Sequence, residues 1–501
     1  MRIEARIADA AAARGMAPAI EGEHGERISY AALGAGVDAL GRALAGLGAR
    51  PGERVALVLE NGPTVPGALL ATLGCGACAV PLNARIADAE LDRILAHAAP
   101  RLVLFPGARE ASSHAARHAR RLGAGDFPGE ALPGAALLGR DPGAAPPPPD
   151  DVALLLYTSG STGAAKGVML THANIDFLLA AGLAQGWMRP ADRVLAVLPM
   201  SHSFGLTSVT LSALAAGACL LPFARFDAAR VAAAIRGGGV TTFLGVPAMY
   251  AQLAEHAASH AMALRPNALR LAYIGGAPLD PTQKSEYEAM LGLHLAGGYG
   301  LTEAAPTVTR TLAADARAGV TLGTPIDGVA LEIRDAESGA ALPAGEVGVV
   351  HVRGPNVMRG YYRDPQATAQ AIDAAGWLDT GDYGCLDDEG RLVIAGRRKE
   401  LIIRSGFNVH PQEVEQAMLA HPAVAAAAVL GRANRGNEDI VAFVMMRPGE
   451  SLDMHALRSH LAPRIASYKM PGILIVRDAL PLLANGKVDK QALRRDLDGG
   501  R

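Results

Sequence analysis

Four cysteines in 501 residues are too few for a disulfide framework and fit a reducing compartment. Cys75 and Cys78 form a Cys-x-x-Cys pair, but neither Cys219 nor Cys385 repeats that spacing. A structural zinc site is therefore not indicated, and small buried hydrophobes are expected instead. An excess of one charge is also missing: 47 Lys and Arg face 49 Asp and Glu, interspersed throughout. A nucleic-acid partner would need a clustered basic surface, which this pattern does not offer. Long unbroken apolar runs are absent too. The stretch between Arg193 and Arg225 holds no Asp, Glu, Lys or Arg, yet Pro199, His202, Gly205, Gly217 and Pro222 interrupt it. It reads as buried strand, loop and core helix rather than a transmembrane segment. The opening Met1-Arg2-Ile3-Glu4 carries an early acid and no apolar core of signal-peptide length. No internal repeat is found. These absences predict a soluble, cytoplasmic protein.

What is present is an enzyme-like composition, half of it apolar, in a chain long enough for more than one domain and large cores. Tyr30 to Leu47 has the spacing of an amphipathic helix, and Arg54 to Leu59 reads as a strand. Thr64 to Cys78 looks like a small-residue helix leading into a strand around Ala79 to Leu82. Further strands are expected at Val194–Leu198, Leu220–Pro222, Thr241–Leu244 and Leu271–Ile274. Such alternation predicts an α/β fold with a largely parallel sheet. Ala144 to Asp151, with four consecutive prolines, reads as a stiff linker. From Val329 onward short strands and turns, such as Glu346–Arg353 and Arg391–Ile394, suggest a β-rich subdomain. The last hundred or so residues, with strands at Val424–Leu430 and Ile440–Met445, read as a small α+β domain.

The chain is organised around Tyr157-Thr158-Ser159-Gly160-Ser161-Thr162-Gly163-Ala164-Ala165-Lys166-Gly167, which follows the apolar run Val152–Leu156. Glycines let backbone N–H groups approach an anion, hydroxyls add donors and the lysine adds a mobile charge. A polyphosphate would suit this loop; so, taken alone, would a flexible surface linker. Neither the Walker pattern nor the Ser-hydrolase elbow fits its spacing. Other Gly-rich or polar clusters follow strand ends: Pro199-Met200-Ser201-His202, Gly275-Gly276-Ala277-Pro278, and Gly297-Gly298-Tyr299-Gly300-Leu301-Thr302-Glu303. Ligands gather at such positions in open α/β sheets.

Five segments in one order carry a resemblance: Tyr157–Gly167, Gly298–Glu303, Trp377-Leu378-Asp379-Thr380-Gly381-Asp382, Gly396-Arg397-Arg398-Lys399-Glu400 and Asn485-Gly486-Lys487. Over roughly residues 20 to 495 the chain resembles the adenylate-forming superfamily of acyl-CoA synthetases, peptide-synthetase adenylation domains and luciferases. The resemblance implies a large N-terminal domain over 1–396, of layered α/β subdomains plus the β-rich subdomain. A smaller mobile α+β domain would occupy 397–501. It also implies activation of a carboxylic acid by ATP and Mg²⁺, with pyrophosphate release, then transfer to a thiol such as that of CoA.

A carboxylate is a poor nucleophile and must approach a like-charged phosphate, so positioning and charge neutralisation carry most of such catalysis. By the resemblance, Thr158, Ser159, Gly160, Ser161, Thr162, Gly163 and Lys166 grip the terminal phosphates. Glu303, with Thr158, holds Mg²⁺, and Thr302 meets the α-phosphate. Tyr299, between Gly298 and Gly300, lies against adenine, with Gly276, Ala277 and Pro278 on its other side. Asp382 and Arg397 hold the ribose. Lys487 is the catalytic lysine, withdrawn when the C-terminal domain turns about a hinge at Lys399. Ser405, Gly406 and Phe407 would then line a thiol channel. His202 matches a residue of the acyl pocket, whereas His172 suits a structural role.

Arg404 to Glu415 is similar to fatty- and small-acyl-CoA synthetases, and Asn408-Val409-His410 stands where peptide-synthetase domains carry a basic-hydrophobic-acidic triplet. The leading expectation is an acyl-CoA ligase. A stand-alone ligase loading a carrier protein and a non-catalytic nucleotide-binding protein remain alternatives, and monomer and homodimer stay open. Arg270 and Arg236 would suit a second carboxylate on the acid, but a surface or strand-flanking place suits each better.

Overall fold

Near-continuous apolar segments form the centre of the first sheet, because parallel strands covered by helices are buried on both faces. Arg54–Leu59 lies between Cys78–Asn83 and Leu102–Phe105, all three parallel, and Val55 to Val58 are buried. Val152–Thr158 joins beyond Cys78–Asn83, and Lys166–Thr171 returns antiparallel to it. Among the described residues eight strands make up this sheet. The computed structural model describes residues 1–23, 25–105, 120–121, 136–137, 148–149, 151–158, 166–277, 279, 281–311, 322–404, 407–434, 437–483 and 486–499. Most of the expected proline-rich linker lies outside these residues.

Among the described residues a second sheet has seven strands. Leu295–Gly297, Leu271–Ile274, Thr242–Gly245, Arg193–Ala196, Cys219–Pro222 and Pro18–Glu21 run parallel in that spatial order, with Arg27–Ser29 antiparallel at the edge. The helices Tyr30–Gly46 and Thr64–Gly74 join one continuous apolar core that reaches both sheets. The uncharged stretch after Arg193 forms strand, loop and then a buried helical segment, Phe204–Leu211 followed by Ser212–Ala215. Among the described residues no helix is long and apolar enough to cross a membrane.

Four antiparallel strands, Ala330–Arg334, Gly348–Arg353, Leu378–Leu386 and Leu392–Arg397, make the β-rich part. Residues from Ile402 onward fill apolar clusters of their own around Val424–Asn434, Asn437–Met446 and Ile473–Arg477. The architecture is thus the layered α/β body with a β-rich portion and a small α+β C-terminal portion. Cys78 and Cys219 are buried, Cys75 is half-buried, and Cys75 Sγ donates to the Gly41 carbonyl. Among the described residues no group of three or more His, Cys, Asp or Glu side chains is placed to hold a metal ion.

Candidate active site

Where parallel strands end, backbone groups and side chains of successive loops face one crevice. The second sheet brings four carboxyl ends side by side. Gly298-Tyr299-Gly300 follows Leu295–Gly297, Gly275-Gly276-Ala277 follows Leu271–Ile274, Val246 follows Thr242–Gly245, and His202 lies beyond Arg193–Ala196. They line a cleft of about 3220 Å³, far larger than the few hundred to a thousand Å³ usual for one small ligand. Thr158, Lys166, Thr302, Glu303, Asp382, Arg397, Lys399 and Lys487 line the same cleft.

Thr158 and Lys166 face each other across an antiparallel pair. Ser159, Gly160, Ser161, Thr162 and Gly163 lie outside the described residues, as does Pro278. Lys166 Nζ sits 4.7 Å from the centre of the Tyr361 ring, a cation–π contact. Tyr361 Oη donates to Glu303 Oε1 at 2.9 Å, which leaves the second carboxylate oxygen for another partner. Thr302 Oγ1 is 3.2 Å from Ser203 Oγ. Gly300 allows no side chain, since a Cβ would run into the Pro306 carbonyl.

Asp382 is buried, at 3% exposure, and both of its oxygens are engaged. Tyr299 Oη donates to Oδ2 at 2.5 Å, and Arg397 Nε lies 3.0 Å from Oδ1. The strand pairing Asp382↔Arg397 fixes this ion pair. Burial and then the neighbouring carboxylate push the Tyr299 phenol well above its ordinary value. The Asp382 charge raises the pKa of Arg397.

Lys487 reaches the cleft on a short turn closed by Gly486 N–H to Leu483 O at 2.8 Å and Leu483 N–H to Lys487 O at 2.7 Å. Gly486 has φ +81°, and an added Cβ would lie 2.8 Å from Val246 Cγ2. Both the left-handed backbone and the close approach call for glycine. A Cβ on Gly276 would meet Lys487 Cε at 3.7 Å, so the lysine stem lies over the second sheet's loops. Three residues on, Lys490 pairs with Glu400 and with Glu415 at 2.8 Å. Burial, reinforced by the Arg397 charge and opposed by Asp382 and Glu400, lowers the Lys487 pKa to about 8. His202 is lowered to about 4 by burial and then by the Lys487 charge, so it is neutral at pH 7. Its Nδ1 accepts from Phe204 N–H at 3.3 Å, which puts the ring proton on Nε2.

Phe407 is exposed and stacks on Tyr468 at 4.5 Å, away from the cleft; Ser405 and Gly406 lie outside the described residues. His172 Nδ1 accepts from Ile3 N–H at 3.3 Å, a structural use. Arg270 Nε donates to Asp192 Oδ1 at 2.7 Å and Arg236 is exposed at a helix end; neither lines the cleft. Sequence reasoning missed Tyr361, which orients Glu303, and the cleft-lining residues Phe204, Tyr273, Trp187 and Arg310. No local pattern marks them.

A large cleft at parallel-strand ends, with a lysine delivered by the C-terminal portion, has the layout of an enzyme with more than one substrate. Residues 7–362 match the AMP-binding enzyme family and residues 413–487 match the AMP-binding enzyme C-terminal domain. The chain is 35% identical to a feruloyl-CoA synthase of an Amycolatopsis species, over 94% of each chain. It is also 35% identical to a sulfoacetate–CoA ligase of Cupriavidus necator, over 94% of this chain and 93% of that one. ATP-bound MatB from Rhodopseudomonas palustris is 29% identical and superposes with a TM-score of 0.85, over 99% of both chains. The chain belongs to the AMP-binding enzyme family. It is an AMP-forming acid–thiol ligase, activating a carboxylic acid with ATP and transferring the acyl group to CoA.

The free enzyme's lysine sets a pH expectation. Lys487 is charged below about pH 8 and loses its proton as pH rises through that value. The kcat/KM for ATP in the acid-dependent release of pyrophosphate should therefore fall tenfold per pH unit above about 8, because this parameter reports the free enzyme. Bound polyphosphate holds the proton on, so kcat should keep its value to higher pH. A kcat/KM profile flat to pH 10 would remove Lys487 from the charged role.

Proposed function

We propose that this ligase activates an aryl or arylalkyl carboxylic acid whose ring packs in the acyl arm of the cleft. The observation that carries this reading is an aromatic wall: Phe204 meets Tyr273 edge-on at 5.8 Å, and Tyr273 meets Trp187 at 5.1 Å and 90°. Aromatic side chains favour such edge-to-face partners, and a flat substrate ring can join them. A Cβ on Gly276 would meet Lys487 Cε and Phe204 Cδ1 alike, so the wall starts where the lysine ends. The neutral His202 borders the same point and supplies an Nε2–H donor for the acid carboxylate or the adenylate.

The roles assigned to the remaining residues rest on the same geometry. Lys487 neutralises charge between carboxylate and α-phosphate, Lys166 and the Ser/Gly-rich loop take the terminal phosphates, and Asp382 with Arg397 and Tyr299 takes the nucleoside. Mg²⁺ fits Glu303, whose second carboxylate oxygen has no hydrogen-bond partner among the described residues and is a hard donor. With Thr158 alongside, the ion would have few protein ligands beyond the phosphates, as this cation prefers, and would offset phosphate charge there. The division into a body over 1–396 and a moving unit over 397–501, hinged at Lys399, is supported by the separate apolar clusters after Ile402. Turning that unit would withdraw Lys487 and bring Phe407 toward the cleft for the thiol step.

AMP release from ATP and Mg²⁺, followed across aryl, short aliphatic, dicarboxylic and long-chain fatty acids with and without CoA, tests the reading. Aryl acids should lead by at least tenfold in kcat/KM, and CoA should accelerate turnover. A lead by long-chain fatty acids would overturn the aryl assignment.

A further inference from the structure

The aromatic wall ends on a cation. Arg310 lies at the end of strand Thr309–Arg310, paired to Thr324 across Thr324–Pro325. Its guanidinium carbon sits 4.3 Å from the centre of the Trp187 indole. One nitrogen donates to Gln185 Oε1 at 3.2 Å, the uncharged amide being its hydrogen-bond acceptor. Among the described residues no carboxylate pairs with this guanidinium, although other half-buried arginines, such as Arg270 and Arg334, each have one. Burial lowers its pKa to about 10, which leaves it charged at neutral pH.

Beside it, the Trp187 indole N–H is buried and has no acceptor among the described residues. Both side chains line the cleft. A half-satisfied cation and an orphaned N–H at one spot are costly to a folded protein unless a ligand completes them. The donors are also far from the reacting end: Phe204 touches the Lys487 side, Tyr273 follows, and Trp187 with Arg310 closes the row. Gly298 is packed tightly against this row, since a Cβ there would run into the Thr309 carbonyl oxygen and lie 2.5 Å from Tyr273 Oη.

We infer that the acid carries a second anionic group, a carboxylate or a sulfonate, at the end of its acyl part remote from the reacting carboxylate, and that Arg310 receives it with Trp187 as a further donor. This rests on the aryl-acid reading and narrows it. Planar bidentate donation suits guanidinium to such an oxyanion. The chemistry does not touch Arg310: one carboxylate reacts at phosphorus and the distal group only anchors and orients. A neutral analogue would leave the donors unpaired, and sites of that kind reject such analogues strongly.

The test uses matched cinnamates bearing 4-methyl, 4-carboxyl or 4-sulfonate groups, with AMP release read as kcat/KM in the full-length protein. The wild type should favour the 4-carboxyl acid over the 4-methyl acid by roughly 10²-fold, with the sulfonate arm showing which oxyanion is preferred. In Arg310→Met that ratio should collapse toward one or below, and Arg310→Lys should restore part of it. A merely structural role for Arg310 would lower both acids in proportion and leave the ratio intact, which overturns the inference. Should Arg310→Met fail to fold, the wild-type ratio decides together with tryptophan fluorescence. The chain has only two tryptophans, and Trp377→Phe leaves Trp187 as the reporter. Saturable quenching by the 4-carboxyl acid and not by the 4-methyl acid supports the inference, and the reverse order overturns it. Good turnover of 4-methyl acids without preference for the anions sinks the inference alone and leaves the aryl-acid reading standing. No AMP from any cinnamate, while other acids release it, overturns both.

Discussion

Lys487→Ala is expected to lower acid-dependent pyrophosphate release by about 10²- to 10³-fold, the usual cost of one preorganised group that stabilises developing charge. Thioester formation from a supplied acyl-adenylate should persist near its normal rate. On the proposed assignment the side chain serves adenylation alone. Its turn brings the ammonium over the Gly275–Ala277 loop, its stem lies 3.7 Å from where a Gly276 Cβ would be, and Lys490 is anchored to Glu400 and Glu415 three residues further on. As a carboxylate attacks phosphorus, negative groups are brought together and charge builds on the phosphoryl oxygens, and a cation taken partly out of water acts on that charge more strongly than one in bulk solvent. The second step, thiol attack on a carbonyl, expels AMP and on the proposed assignment proceeds without the lysine. Single-turnover assays of each half-reaction separate the two. Equal loss in both would show that the lysine serves the whole site rather than adenylation.

Asp382→Asn should raise the KM for ATP by about 10²-fold while leaving the KM for the acid within twofold. The wild-type carboxylate accepts from Tyr299 Oη at 2.5 Å and pairs with Arg397 Nε at 3.0 Å. Hydrogen bonds to a charged group contribute roughly 1.5–3 kcal/mol each, and an amide replaces one acceptor by a donor that Arg397 repels. Because the Arg397 side chain is 56% exposed, water screens its unpaired charge, and the stability loss should stay near 1–2 kcal/mol. Thermal unfolding with and without ATP checks this: a small drop for the free enzyme and a much smaller ATP-induced gain than in the wild type. A larger effect on the acid than on ATP would place Asp382 on the wrong side of the cleft.

Local pattern decided a good deal of this protein. The apolar runs form strands at Arg54–Leu59, Cys78–Asn83, Thr242–Gly245 and Leu271–Ile274, because a fully buried strand must be apolar on both faces whatever it packs against. Turn-forming glycines set the strand ends, and the polar clusters beside them could be marked as ligand loops for the same reason. The motif order carried the family, since each motif is short and its chemistry is contained in its own residues.

Tertiary structure alone decided what those loops meet. The hydrogen bond from Tyr361 to Glu303 spans 58 residues, and the approach of Lys487 to Gly276 spans far more; no periodicity connects such pairs. Arg270, for which a strand-flanking place is expected from sequence, is held by Asp192, while Arg310 stacks on Trp187. One arginine differs from another only in its neighbours, and strand register and helix packing choose those neighbours. The sequence therefore determined the layers, the loops and the class of reaction. The three-dimensional packing decided the electrostatics of the lysine and the shape of the acyl arm, because both depend on groups brought together from separate parts of the chain.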